Sequence, residues 1–261
     1  MIAIITGASS GIGREIAKIL ARDYDLVLVA RREERLAIFC EEISQTVKRD
    51  GTKCRAVAFP CDVSKPEECR RLYEAYAEEP VEILVNGAGL GGFGQIMDVP
   101  IEQEMSMLYV NIRALHLLTK YFLRDMIERK HGYILNIASS AAYMPGSPFM
   151  AAYYASKSYV LSFSRSIAYE PEVQKSGVYI GTLCPGPVAT EFHKIAGFQG
   201  NPGGMSPERC AKYAVKKMMR GKKLIIPGLS VKFTYIGSKI LPAGVLLWMA
   251  KIHQIRKSKK G

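Results

Sequence analysis

The sequence predicts an α/β fold: one domain with a doubly wound, mostly parallel sheet of seven strands. Apolar runs of strand length alternate with stretches of helical period through most of the chain, and parallel strands need such crossovers. The first of these runs leads straight into a glycine-rich turn that opens a helix, the junction at which such sheets gather ligands. The length, 261 residues, is within what a single α/β domain occupies.

The strands fall at about 2–6, 25–30, 53–59, 81–86, 132–138, 178–184 and 223–226. Amphipathic stretches lie between them at about 12–22, 33–49, 66–78, 101–129, 153–170 and 206–220. Right-handed crossovers then put helices on both faces of the sheet. Two stretches break the alternation. Residues 187–205 hold Gly197, Gly200, Pro202, Gly203 and Gly204, and read as a mobile segment near the strand ends. Residues 231–261 extend the domain of residues 1–230 with an apolar run, an interruption at Pro242 and a basic end.

Composition narrows the function. A hydrophobic content of 48% supports a packed core and excludes a disordered chain. Six cysteines form neither a C-x-x-C pair nor a cluster with the four histidines, so no metal site is expected. The stretch Met1-Ile2-Ala3-Ile4-Ile5 is too short for a secretory signal, so reduced thiols in a cytoplasmic protein are expected. The net charge of +12 owes much of its local excess to Arg256, Lys257, Lys259 and Lys260 at the C-terminus. Without a strip of basic and aromatic residues elsewhere, nucleic-acid binding is not expected.

The first strand delivers Thr6-Gly7-Ala8-Ser9-Ser10-Gly11-Ile12-Gly13. Glycines let the backbone turn tightly and approach phosphates, while helix N–H groups and the helix dipole face their negative charge. The spacing is G-x-x-x-G-x-G, and with it the chain resembles the classical short-chain dehydrogenase/reductase family as far as about residue 226. The resemblance implies a Rossmann-type fold and a nicotinamide dinucleotide against Gly7, Ser9, Ser10, Gly11, Ile12 and Gly13. In that family an acidic residue ending the second strand holds the ribose hydroxyls. Here the strand ends Val29-Ala30-Arg31-Arg32. Arg31 in place of the acid predicts pairing with a 2′-phosphate, hence NADP(H). The alternative is that Arg31 and Arg32 simply open a solvated helix with Glu33 and Glu34.

Further motifs of the family follow. Cys61-Asp62-Val63 resembles the turn that contacts adenine, with Asp62 accepting from the amino group and Val63 packing on the ring; Asp62 fits a helix-capping role too. Val85-Asn86-Gly87-Ala88-Gly89 resembles the N-N-A-G element that stabilises the central sheet and lets the backbone pass under the cofactor, which implies contacts from Asn86, Ala88 and Gly89. Gly87 departs from that pattern, so the hydrogen bond of the second Asn must be replaced or lost. Pro185, Gly186, Val188 and Thr190 match the family's P-G turn beside the carboxamide.

Reducing a ketone needs a hydride, which the cofactor supplies, and a proton donor at the developing alkoxide. A tyrosine serves if a positive charge pulls its pKa of about 10 toward working pH. Tyr153 and Lys157 share a helix face at i, i+4 and match Y-x-x-x-K, although Tyr154 at i, i+3 from Lys157 is a competitor. The resemblance makes Lys157 lower the Tyr153 pKa and bind the nicotinamide ribose. It makes Ser140, thirteen residues before Tyr153, the carbonyl-polarising serine, with Ser139 as its control neighbour. It makes Asn111 the residue that bends a long helix and holds a water joining Lys157 to solvent.

The expected pocket segments, Leu90-Gly91-Gly92-Phe93, Tyr143-Met144-Pro145 and Phe192 to Met205, are apolar and partly aromatic. They favour a lipophilic carbonyl/alcohol substrate such as a hydroxysteroid or a 3-oxoacyl compound. A homodimer or homotetramer is the expected assembly. A catalytically minor, cofactor-binding protein on the same scaffold is the rival reading; it would lose Tyr153 or Lys157, and both are present. The segment from Ile240 to Lys260 is too short and interrupted to span a bilayer, but Trp248 and its leucines before a lysine cluster suit peripheral contact with anionic lipid. Folding over the pocket or packing between subunits is the competing role for that segment.

Overall fold

The computed structural model describes residues 1–192, 196–197 and 203–258, without the side chains of 253 and 256–258. Seven parallel strands form one sheet in the order β3-β2-β1-β4-β5-β6-β7. They are β1 (Ile2–Thr6), β2 (Asp25–Ala30), β3 (Ala56–Pro60), β4 (Val81–Asn86), β5 (Tyr133–Ile137), β6 (Tyr179–Leu183) and β7 (Leu224–Ile225). The chain winds outward from β1 to β3, then crosses back to β4 and winds the other way. That reversal splays the loops after β1 and β4 and opens a crevice at their carboxyl ends.

Alternation along the strands assigns residues to the two helix layers. Ile5, Leu28, Val85 and Leu135 pack in one core with α1 (Gly11–Leu20), α2 (Glu33–Ser44) and α8 (Pro207–Met218). Ile4, Val27, Leu84 and Ile134 pack in the other with α3 (Pro66–Glu74) and α5 (Leu115–Glu128). Strands buried on both faces explain why the sequence shows continuous apolar runs there. Phe39 and Phe122, one in each core, are among the largest fully buried side chains. Truncating either to alanine would cost about 3–5 kcal/mol.

Several elements differ from their sequence-based bounds. Helix α2 stops at Ser44 because Val47 bridges Lys53 in a short antiparallel turn, which also delays β3 to Ala56. The long stretch at 101–129 divides into α4 (Ile101–Leu108), a π-helical turn at Tyr109–Ala114, and α5. Helix α6 (Ala151–Ile167) is followed by a short α7 (Pro171–Ser176) that the periodicity does not reveal. The C-terminal stretch forms two helices, α9 (Leu229–Ile240) and α10 (Ala243–Ser258), separated at Pro242, which cannot continue a helix from α9.

Candidate active site

The crevice is a cleft of about 460 Å³ lined by the loops that follow β1 to β6. Its floor is the turn from β1 into α1. A Cβ on Gly7, at φ +70°, would lie 2.7 Å from the Gly87 carbonyl oxygen, and one on Gly13 would lie 2.6 Å from the Gly7 oxygen. Only glycines allow the two loops and the helix to approach so closely. Ser9, Ser10, Gly11 and Ile12 line the cleft with them. Ser10 occupies the N-cap of α1 without making a side-chain cap. The positive end of the helix therefore has no side-chain acceptor from its own cap, which suits an anion such as a diphosphate.

The guanidinium that reaches this turn belongs to Arg32. Its Nη2 donates to Ser9 Oγ at 3.1 Å and Ser10 Oγ at 3.2 Å. Arg31, the expected phosphate partner, also lines the cleft but is exposed at the rim. Consecutive residues leaving a strand project to different sides, so only one of the two turns inward. Arg32 also pairs with Glu191 at 3.0 Å, and Arg35 pairs with the same carboxylate at 2.9 Å. Arg35 and Arg32 together hold the Glu191 carboxyl below the usual carboxylate range. Motif reading gave no role to Arg35 or Glu191, because the pairs close over a separation of 156 residues and more.

Asp62 and Val63 line the far side of the cleft. Asp62 Oδ1 accepts from the Ser64 amide at 3.1 Å, while the N-cap of α3 is Lys65, so Asp62 shapes the turn and does not cap that helix. Ala88 and Gly89 line the cleft as expected, but Asn86 does not. Its Nδ2 donates to Asn136 Oδ1 at 2.8 Å and Thr119 Oγ1 at 3.0 Å in a buried network between strands and α5. Pointing into the helix layer, Asn86 braces the sheet beneath the cleft, a correction to the expected cofactor contact. At Gly87 a Cβ would lie 2.6 Å from the Thr6 carbonyl oxygen, so the second Asn of the motif has no room. Thr6 Oγ1 accepts from the Gly87 and Ala88 amides at 3.0 and 3.1 Å and ties the loop in its stead. Pro185, Gly186, Val188 and Thr190 complete the wall after β6.

Tyr153 and Lys157 lie one turn apart on the buried face of α6, 8% and 4% exposed, and both line the cleft. Burial pushes the Tyr153 phenol up to about 12, opposed by the Ser139 hydroxyl. Lys157 Nζ donates to the Ile137 carbonyl at 3.2 Å, and burial pulls its pKa down to about 8. Both groups are thus held in their neutral direction by the same desolvation.

Ser139 and Ser140 both line the cleft, and it is the Ser139 hydroxyl that lowers the Tyr153 phenol against its burial. The hydroxyl of Ser140 is hydrogen-bonded to Tyr143 instead. The physical reason is local. Ser139 is the last extended residue after β5 and its hydroxyl accepts from the Ala141 amide, whereas Ser140 begins a 3-10 turn (Ser140–Tyr143). Tyr154 lines the cleft as well, with its ring centroid 6.2 Å from that of Tyr153.

Asn111 lies in the π-helical turn and is 1% exposed. Its Nδ2 donates to the Leu90 carbonyl at 2.9 Å and Ser156 Oγ at 3.0 Å, and its Oδ1 accepts from the Leu90 amide at 2.9 Å. Of the expected pocket segments, Leu90 and Phe192 line the cleft, and the Phe192 ring lies 5.7 Å from that of Tyr153. A second cavity of about 310 Å³ meets the other side of Tyr153, among Gly92, Met107, Phe149 and Met150. Tyr143, Met144 and Pro145 face a third hollow against α9 and α10 instead of the cleft, because the 3-10 turn carries them to the opposite side of α6. The expected lining at 193–195 and 198–202 lies outside the described residues.

A doubly wound sheet, a glycine turn at its switch point and a buried tyrosine–lysine pair define a dinucleotide-dependent oxidoreductase of the short-chain type. The family model for short chain dehydrogenases matches residues 1–200, and the chain belongs to that family. It is 38% identical over 192 residues to an uncharacterized oxidoreductase, YvaG, of Bacillus subtilis, covering 72% of this chain and 69% of that one. It is 30% identical over 263 residues to an inactive hydroxysteroid dehydrogenase-like protein 1 of Pongo abelii, covering 96% of this chain and 75% of the relative. A solved short-chain dehydrogenase from Sphingobium yanoikuyae, in complex with NADPH, superimposes with a TM-score of 0.80 at 27% identity, covering 91% and 92% of the two chains. Among the described residues no helix is long and apolar enough to cross a membrane.

Proposed function

We propose that the protein is an NADP(H)-dependent enzyme interconverting a ketone or aldehyde and the corresponding alcohol, on a lipophilic substrate of the hydroxysteroid or 3-oxoacyl kind. The observation that carries this reading is the meeting of Tyr153, Ser139 and Lys157 in one cleft with the glycine turn and Arg32. The bound dinucleotide supplies or accepts the hydride. Gly7, Ser9, Ser10, Gly11, Ile12 and Gly13 would hold its phosphates, Asp62 and Val63 its adenine end, and Ala88, Gly89, Pro185, Gly186, Val188 and Thr190 its nicotinamide end. Ser139 and Tyr153 hold the substrate oxygen, and in reduction Tyr153 gives it a proton. Lys157 as a cation favours the phenolate left behind. Asn111 and Lys157 both approach Gly89, and the family resemblance supports a water between them as the proton's route.

Arg31, Arg32 and Arg35, with no carboxylate ending β2, support the phosphorylated cofactor. The second cavity beside Tyr153, walled by methionines and Phe149, supports an apolar substrate. Family resemblance supports a homodimer or homotetramer. Likeness to an inactive relative raises the rival reading of a cofactor-binding protein without turnover, against which Tyr153 and Lys157 both stand. NADPH consumption against a panel of steroid, oxoacyl and small aldehyde carbonyls tests the proposal. Cofactor binding without consumption for any of them would favour the rival.

A second reading concerns the C-terminus. Helix α9 has no buried residue and exposes Leu229, Phe233, Ile236 and Ile240 along one stripe, and α10 exposes Val245, Trp248 and Met249. Residues 229–261 carry seven Lys and Arg and no Asp or Glu. An apolar stripe set among unopposed cations supports peripheral contact with an anionic lipid surface. Vesicle sedimentation at low salt tests it: retention by neutral vesicles alone, or by neither kind, would sink this reading.

A further inference from the structure

The cleft wall contains a polar group that the chemistry above does not use. Gln254 belongs to α10, beyond the residues that the family model matches. Helix α10 packs on the loop leading into α6: Leu246 is buried, and Leu247 Cδ2 lies 3.5 Å from where a Cβ on Gly146 would be. Gln254 thereby joins the cleft wall with Met150, Tyr153, Tyr154 and Phe192, and is 4% exposed.

Its neighbours orient the amide. Nε2 lies 3.3 Å from Ser147 Oγ and 3.4 Å from Met150 Sδ. The one hydrogen of the Ser147 hydroxyl goes to the Pro148 carbonyl at 3.1 Å or to the Tyr154 phenol, so its oxygen is left to accept from Gln254, and a thioether sulfur only accepts. Both neighbours therefore require the N–H side of the amide. Oε1 is left as an acceptor, and it is buried with no partner among the described residues. Buried polar atoms are nearly always paired, so an acceptor left open in a ligand cleft calls for a donor from the ligand.

We propose that Gln254 is a specificity-determining residue whose Oε1 accepts a hydrogen bond from a hydroxyl that the substrate carries away from its reacting carbonyl. This rests on the carbonyl–alcohol reading above and deepens it: the substrate class becomes a lipophilic hydroxy-ketone, and the product a diol. A cationic donor fits less well, because Arg31, Arg32 and Lys157 line the same cleft. A neutral hydroxyl satisfies Oε1 without adding charge beside Lys157.

The experiment uses matched ketone pairs that differ only in one remote hydroxyl, drawn from steroid and from medium-chain series, with the full chain and Gln254→Leu. Two readouts are taken: kcat/KM with NADPH, and equilibrium binding followed by fluorescence of Trp248, the sole tryptophan, on the same helix. The unmutated protein should prefer the hydroxylated member of at least one pair by about tenfold, which corresponds to about 1.4 kcal/mol. Most of that preference should lie in KM. Gln254→Leu should abolish it while still binding NADPH and still reducing the deoxy member. Equal preference in the two proteins, or no preference in the unmutated protein for any pair, overturns the proposal. If no ketone is turned over, the enzyme reading fails, and the binding titration decides Gln254 on its own by the same two outcomes.

Discussion

Arg32 and Glu191 allow the cofactor preference to be worked as a competition. Arg32 donates to Ser9 and Ser10 from the same nitrogen and gives its other terminal nitrogen to Glu191. A 2′-phosphate arriving at this end of the cleft exchanges a carboxylate partner for a phosphate. Hydrogen bonds to charged groups contribute about 1.5–3 kcal/mol, so Arg32→Ala should weaken NADPH binding by roughly 10- to 150-fold while changing NADH by only a few fold. Arg31→Ala, at the rim, should do less. The opposing ion pairs are exposed, with side-chain accessibilities of 40%, 50% and 45% for Arg32, Arg35 and Glu191. Their worth is therefore only about 0.2–1 kcal/mol. Glu191→Gln should tighten NADPH by up to about fivefold at low salt, and the gain should shrink as salt screens the pairs. Fluorescence titrations of both cofactors at two ionic strengths read all these values. Equal losses for NADPH and NADH in Arg32→Ala would mean that Arg32 only shapes the glycine turn, and would refute the competition.

The remaining predictions concern the reacting end. Tyr153→Phe should lower kcat by at least about 10²-fold, the scale of a lost general acid, with cofactor affinity nearly unchanged; Tyr154→Phe should keep most activity. Ser139→Ala should cost more turnover than Ser140→Ala in steady-state assays, and the reverse ranking would support the thirteen-residue count. Because burial pulls Lys157 down to about 8, the ammonium form is lost above that pH, and kcat/KM for carbonyl reduction should fall there while alcohol oxidation does not. Lys157 lowered from 10.5 to about 8 binds fewer protons folded than unfolded between those values, so stability should rise with pH across that window. Lys157→Met should accordingly stabilise the apo protein below about pH 8, by up to about 3 kcal/mol, and lose that gain above about 10.5, as chemical denaturation at several pH values would record.

Much of the fold was legible because the central strands are buried on both faces and most helices on one, so periodicity separates them. Its misses share a cause. The early end of α2, the late start of β3 and the π-helical turn at 109–114 depend on tertiary contacts, which leave no period in the sequence. At the site, residues fixed by a local motif lie in the cleft: the glycine turn, Tyr153, Lys157 and the turn after β6. Where two identical residues stand side by side, as Arg31 with Arg32 and Ser139 with Ser140, the sequence has no means of telling which one points inward, and the structure brings both of each pair to the cleft. Glu191 and Gln254 act from segments far along the chain and needed the folded structure to be seen at all.

The π-helical turn gives a physical account of how Lys157, which has no carboxylate partner among the described residues, is held in the core. Widening the helix by one residue brings the Asn111 amide inward, where it bonds both the amide and the carbonyl of Leu90 and also Ser156 on α6. Ser156 in turn donates to the Tyr153 carbonyl at 2.7 Å. One side chain thus fastens the loop after β4 to the turn of α6 that carries Tyr153 and Lys157, and the Ile137 carbonyl at the end of β5 holds the ammonium from the other side. Three elements thus hold the turn of α6 that carries the pair and the Lys157 ammonium itself. Under the proposed chemistry that constraint is useful: a phenol raised by burial resists ionising before the substrate oxygen begins to take up charge, and a lysine near pH 8 releases and regains a proton within the working range.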